Sequence, residues 1–228
     1  SDKAVNPTNV MGTSKLMGER LITAANALTQ TEHGPIFSAT RFGNVAGSAG
    51  SVVPLFCHQI ATNKNVTLTH REMTRFLMTL HEAVRLVLLS MTLAKGGEVF
   101  VTKMPVARIE DIAQVLVDTV GPACGREPDS ITIEEVGPRP GEKLFEELVS
   151  DEEVRRTFEI GDLFTVLPAF HNIYNNISFE YPGYEKKPID RVYNSEAETA
   201  MSVDDLREFM TLPGVLPDDV RAKLRLID

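Results

Sequence analysis

From residue 36 onward, short runs rich in β-branched and aromatic residues alternate with stretches whose apolar positions follow a helical repeat, and this alternation confines the chain to the α/β class. Strands are expected over 36–42, 66–69, 75–78, 98–102 and 131–136, and helices over 51–62, 81–94 and 109–120. The last is the clearest helix, with Ile109, Ile112, Ala113, Leu116, Val117 and Val120 on one face. An earlier helix precedes them all. Pro7 presets its first turn, Thr8 or Asn9 can cap it, and Met11, Leu16, Met17, Leu21, Ile22 and Ala25 recur at helical spacing until it fades over 29–34. A further helix is expected over 143–148. Residues 151–228 differ in texture: they are aromatic-rich and broken by Asn172, Asn175, Asn176, Pro182, Gly183 and Pro188, and only 203–210 and 218–226 read as helices.

The composition narrows the function. With 228 residues, 43% of them hydrophobic, the chain can bury a substantial core. A net charge of −9 with no basic stripe argues against a broad nucleic-acid surface, so any phosphate must be held by a few local groups. Cys57 and Cys124 lack CxxC spacing, which fits a reducing compartment and makes the cytoplasm the expected location. The greasiest run, 84–93, is interrupted by Arg85 and Ser90 and falls well short of the ~20 residues a spanning helix needs, so it reads as a buried helix and no membrane span is expected. His33, His58, His70, His81 and His171 show no ligand spacing, and no metal centre is expected. The chain opens at Ser1 without a signal-peptide pattern or an initiator methionine, which reads as an upstream segment removed or omitted.

Four segments carry candidate chemistry. Ahead of the first helix stand Ser1, Asp2 and Lys3, and on it Met11 and Lys15, four residues apart, share a face. The glycine loop 43–50 sits between a strand and a helix, where a dinucleotide loop would sit, with Glu72 at a distance suited to a ribose-binding acid. Its spacing Gly43, Gly47, Gly50 is not G-x-G-x-x-G, however, and it is read as a decoy. Within that loop Asn44 can donate two hydrogen bonds to phosphate oxygens, or simply make a turn. Arg75 presents a fork that matches phosphate, or is a solvated strand arginine. In Gly137-Pro138-Arg139-Pro140-Gly141-Glu142-Lys143 two prolines and two glycines fix a rigid turn, and Glu142 could equally be a favourable acid in the first turn of a helix.

The wording of these segments resembles a known family. Ser1, Met11 and Lys15 stand where the extended short-chain dehydrogenase/reductases carry Ser/Thr, Tyr and Lys. The runs Asp2-Lys3-Ala4-Val5-Asn6-Pro7-Thr8-Asn9 and Val10-Met11-Gly12 are similar to the polysaccharide-biosynthesis branch, the UDP-N-acetylglucosamine 4,6-dehydratases that invert C5, some of which carry methionine for tyrosine. Arg41-Phe42-Gly43-Asn44-Val45, the segment 69–76 and the 137–143 turn follow in the family's order. The likeness is strong over 1–150 and looser at 156–162 and 193–195.

The resemblance implies the C-terminal part of an NAD(P)-binding Rossmann-type domain, 1–50 interleaved with 80–105, plus a smaller α/β sugar-nucleotide lobe and extension, 51–79 and 106–228. It implies a tightly bound, recycled NADP or NAD, a UDP-sugar substrate and a homo-oligomer. By position, Lys3 is the C5 base, Asp2 the acid for the departing C6 hydroxyl, and Lys15 the holder of the nicotinamide ribose. Phe42 and Val45 border the nicotinamide, and Asn44 contacts the substrate diphosphate or sugar. Arg75 binds nucleotide phosphate, Arg139 clamps the diphosphate, and Glu142 accepts from ribose hydroxyls. Met11 cannot exchange a proton, so Lys15, Lys3, Ser1 or a water must take the C4 hydroxyl proton. The rivals are a UDP-sugar 4-epimerase, which needs no C5 base, and a non-catalytic sugar-nucleotide binder. The family's opening strands and glycine-rich NAD(P) loop are not in these 228 residues, so the chain alone is expected to be inactive.

Overall fold

The computed structural model describes residues 1–28, 34–169 and 177–225; Asn172, Asn175, Asn176, His33, His171 and the end of the last expected helix lie outside them. Its helices are α1 (Val10–Leu28), α2 (Val52–Ala61), α3 (Leu80–Leu93), α4 (Ile109–Ala123), α5 (Asp151–Val154), α6 (Val203–Thr211) and α7 (Asp218–Leu224). Its strands are β1 (Ala39–Arg41), β2 (Asn44–Val45), β3 (Val66–Leu68), β4 (Thr74–Met78), β5 (Val99–Thr102), β6 (Val106–Arg108), β7 (Ile133–Glu135), β8 (Glu147–Val149), β9 (Thr157–Ile160), β10 (Leu163–Val166), β11 (Lys187–Pro188) and β12 (Tyr193–Asn194). The fold is mixed α/β, as the alternation predicted.

Two units share the chain. The first comprises Ser1–Gly43, Ala83–Lys103 and Glu146–Ala197, the second Asn44–Glu82, Met104–Phe145 and Glu198–Asp228. The first boundary therefore falls after Gly43 instead of residue 50. Residues 146–197, grouped with the second lobe in the sequence division, belong to the first unit because their strands extend its sheet.

That sheet has the order β1-β5-β10-β9-β11, with β1 and β5 parallel and the other pairings antiparallel. Strands β9 to β12 lie beyond residue 151, where the sequence pattern announces only helices. Ile160 pairs with Leu163 across the two-residue turn Gly161-Asp162, where Gly161 has φ +61°. Short strands closed by a Gly-Asp turn are a hairpin signal that could have been read. The expected helix over 143–148 is also absent and β8 forms there, because Glu146 N–H donates to Ser195 Oγ at 2.9 Å and β8 pairs with β12.

Helix α1 begins as expected, capped by Asn9, whose Oδ1 accepts from Gly12 N–H at 2.9 Å. Its buried positions are Gly12, Glu19 and Asn26, a seam of small and polar residues two turns apart. Its large apolar residues face outward: Met17 is 64% exposed and Leu21 61%. The helical repeat was legible, but the face it buries was not.

In the second unit, β2-β4-β6 form one sheet and β3-β7 a parallel pair. Helix α4 packs against α2, α6 and α7, and the core includes Phe56, Ile60, Leu68, Ile112, Leu116 and Leu206. Cys57 lies in this core, and burial pushes its thiol up to about 12. Among the described residues no helix is long and apolar enough to cross a membrane.

Candidate active site

The ionisable segment belongs to the first unit. Asp2–Ala4 form a single 3-10 turn, and Asp2 N–H donates to Phe42 O at 3.4 Å, tying that turn to the end of β1. Lys3 Nζ donates to both carboxylate oxygens of Asp2, at 3.3 and 3.2 Å. Asp2 is the more sheltered partner, its side chain 12% exposed against 48% for Lys3. Ser1 Oγ lies 3.5 Å from Asp2 Oδ1 and accepts from Lys3 N–H at 3.4 Å. These three predicted residues are thus one hydrogen-bonded group.

Gly12 presses this turn against α1. A Cβ at Gly12 would lie 2.7 Å from Lys3 O and 2.9 Å from Pro7 Cβ, so the close approach requires glycine. Its neighbours on α1, Met11 and Lys15, are both exposed. No local signal marked Gly12.

Behind the turn lies a buried ion cluster that the sequence reading missed. Arg41, 1% exposed, donates from Nε and Nη2 to Glu19 at 2.8 and 2.5 Å. It also donates from Nη1 and Nη2 to Glu153 at 2.8 and 2.7 Å, and from Nη1 to Leu148 O at 2.9 Å. Burial alone would lower the guanidinium, but the two carboxylates outweigh it and raise its pKa. Burial likewise pushes the Glu153 carboxyl up, and Arg41 together with the Ser150 amide brings it down to about 2. The cluster anchors α1, one turn beyond Lys15, to the strand end that leads into Phe42.

The second unit holds a cavity of about 260 Å³. Five predicted residues meet there: Asn44, Val45, Arg75, Arg139 and Glu142. Phe42, paired with Val45 in the sequence reading, belongs to the first unit. Arg139 is exposed, and the turn carrying it is closed by Glu142, which accepts from Arg139 N–H at 3.2 Å while its own N–H donates to Arg139 O at 3.0 Å.

Arg75 lines the cavity with its guanidinium engaged by backbone. Nη1 donates to Thr74 O at 2.7 Å and Leu144 O at 3.1 Å, Nη2 donates to Lys143 O at 2.9 Å, and Glu142 lies 3.9 Å away. In this arrangement Arg75 fastens the end of the 137–145 segment to β4.

The start of α2 also lines the cavity, which the sequence reading did not anticipate. Ser51 is its N-cap by position but makes no capping bond, and Ser51 Oγ is buried without a hydrogen-bond partner among the described residues. The first-turn amides of Val52 and Val53 are the donors that a helix start leaves for an anion. On the rim, Leu55 is 43% and Val136 65% exposed.

The fold is mixed α/β of the Rossmann-like class, with β1 and β5 paired in parallel in the first unit and β2 with β4 and β3 with β7 in the second. The chain belongs to the polysaccharide biosynthesis protein family, whose sequence model matches residues 1–168. It is 50% identical over 168 residues to an uncharacterized membrane protein of Methanocaldococcus jannaschii, covering 74% of this chain and 50% of that one. It is 49% identical over 156 residues to the capsular polysaccharide biosynthesis protein CapD of Staphylococcus aureus, covering 68% of this chain and 25% of that one. A UDP-glucose 4-epimerase of Rickettsia canadensis is 33% identical over 221 residues, 97% of this chain and 62% of the epimerase. Among solved structures, Pen from Bacillus thuringiensis superposes with a TM-score of 0.80 at 36% identity, over 100% of this chain and 61% of Pen. The chain thus spans between a quarter and about three fifths of the length of these relatives.

Proposed function

We propose that these residues serve a nucleotide-sugar 4,6-dehydratase, a lyase that acts on UDP-N-acetylglucosamine with inversion at C5 and recycles NADP or NAD. The observation that carries the sugar-nucleotide reading is the meeting of Asn44, Arg139 and Glu142 with the start of α2 around one cavity. Amide, guanidinium and helix-start donors suit a diphosphate, Glu142 suits ribose hydroxyls, and the apolar rim at Val136 suits a base.

Dehydration is favoured over epimerisation by the Asp2–Lys3 pair. Once the proton of this ion pair has passed from Lys3 to Asp2, Lys3 takes the C5 proton, and Asp2 gives its proton to the C6 hydroxyl, which leaves as water. A nicotinamide, if held there, would supply a reversible hydride acceptor, so that the dehydration would involve no net oxidation. Lys15, exposed on α1, has three donors for the nicotinamide ribose, and Phe42, in the same unit, offers an apolar border. Met11 offers a thioether at the tyrosine position and cannot take the C4 hydroxyl proton, which passes to Lys15, Lys3, Ser1 or a water. The 4-epimerase reading is kept beside this one because of the 33% identity to the Rickettsia enzyme.

The test is incubation of the complete enzyme with UDP-N-acetylglucosamine in deuterated water. A 4-keto product that has lost water and carries deuterium at C5 is expected. A C4 epimer with protium retained at C5 would establish the epimerase instead. Lys3→Ala is expected to abolish the C5 exchange, and a pH–rate profile unchanged by it would remove Lys3 as the base. Homo-oligomer assembly, checked by light scattering, is part of the proposal.

A further inference from the structure

Residues 198–225 lie beyond the stretch that the family model matches, and the 214–216 segment among them backs one wall of the second unit's cavity. Gly47 has φ +77°, and a Cβ there would lie 1.9 Å from Gly214 O and 2.8 Å from Val215 O. The two backbones touch, and a side chain at 47 would force them apart. On the cavity side of this contact, loop 44–51 supplies Asn44, Val45 and Ser51, with Ala46 N–H bonded to Met78 O at 2.8 Å and Ser51 N–H to Ser48 O at 3.0 Å. On the far side, the 211–216 turn is held by Arg221. That arginine is 4% exposed and donates from Nη1 to Thr211 O at 2.9 Å and Leu212 O at 3.0 Å. Val215 and Leu216 are buried in the same core as Val53 and Phe56 of α2.

We infer that Arg221 and the Gly47–Gly214 contact form a positioning device for the diphosphate end of the cavity. Arg221 does not line the cavity; it acts through the 211–216 turn and the glycine loop on Asn44 and the start of α2. The glycine loop, which resembled a dinucleotide loop without its spacing, thereby acquires a role: its glycine at 47 admits a supporting backbone. The base end, at Val136 and the 67–69 segment, lies off this path. The inference rests on reading the cavity as a nucleoside-diphosphate site.

The experiment compares UDP with uridine, measured by calorimetry and ligand-observed NMR on the full-length protein. Arg221→Met is expected to weaken UDP about tenfold, the worth of one hydrogen bond to a charged group, and to leave uridine within about twofold. Arg221→Lys keeps a cation able to donate to both carbonyls and is expected to hold UDP within about threefold of wild type. Gly47→Ala is expected to weaken UDP at least as much as Arg221→Met; if it does not fold, the two Arg221 variants decide. Equal losses of UDP and uridine would mark Arg221 as a merely structural residue and overturn the inference, as would an Arg221→Met protein that binds UDP like wild type. A wild-type protein that does not bind UDP would overturn the nucleoside-diphosphate reading and this inference with it.

Discussion

Every N–H of the Arg41 guanidinium is spent on Glu19, Glu153 or the Leu148 carbonyl, and removing either carboxylate leaves two buried N–H donors unsatisfied. Glu153 makes the cluster sensitive to acid. Its carboxyl is held at about 2, below its ordinary value of 4.5, so its contribution is fully present above pH ~4.5 and is lost as the pH falls toward ~2. The depression corresponds to about 3 kcal/mol. Urea midpoints measured from pH 7 to 2 are therefore expected to fall in that window. Glu153→Gln is expected to flatten the slope there while costing roughly 3–5 kcal/mol at neutral pH; an unchanged slope would mean that other carboxylates drive acid unfolding. At Gly12, alanine is expected to cost about 1–3 kcal/mol by crowding Lys3 O and Pro7, read by the same denaturation. Neither site was legible. Glu19 and Glu153 lie 22 and 112 positions from Arg41, and no local pattern links them.

Helix α1 was predicted from its apolar repeat, yet it is fastened by polar groups. Asn26 Oδ1 accepts from Phe37 N–H at 3.0 Å, Glu19 binds Arg41, and Met17 and Leu21 remain exposed. Leu21→Ala is therefore expected to change stability by no more than about 0.5 kcal/mol, and Glu19→Ala to cost about 3–5 kcal/mol, the reverse of what hydrophobicity alone suggests. Equilibrium denaturation of the two variants checks the order. Helix α4 is the opposite case, since its one-sided repeat matches the buried face found. The hairpin of β9 and β10 carried its signal in Gly161-Asp162, while β8 carried none, its place being decided by Ser195 and β12.

Each unit has its own core, so a ligand held in one should stabilise that unit by mass action, about 2.7 kcal/mol at a hundredfold excess over Kd. With UDP, slowed hydrogen exchange is expected in α2, β3 and α4, with none in the first unit's sheet; protection confined to that sheet would place the nucleotide elsewhere. The sequence by itself determined the α/β class, most helices, the family, and the residue types from which the candidate site is made. These are written in local periodicity and in short runs that nearby backbone geometry can interpret. Only the tertiary structure decided that Asn44, Arg75, Arg139 and Glu142 share one cavity, that residues 146–197 complete the first sheet, and that α1 turns its polar seam inward. Those outcomes depend on pairings between distant segments, chosen by whichever burial leaves the fewest charges and backbone groups unsatisfied.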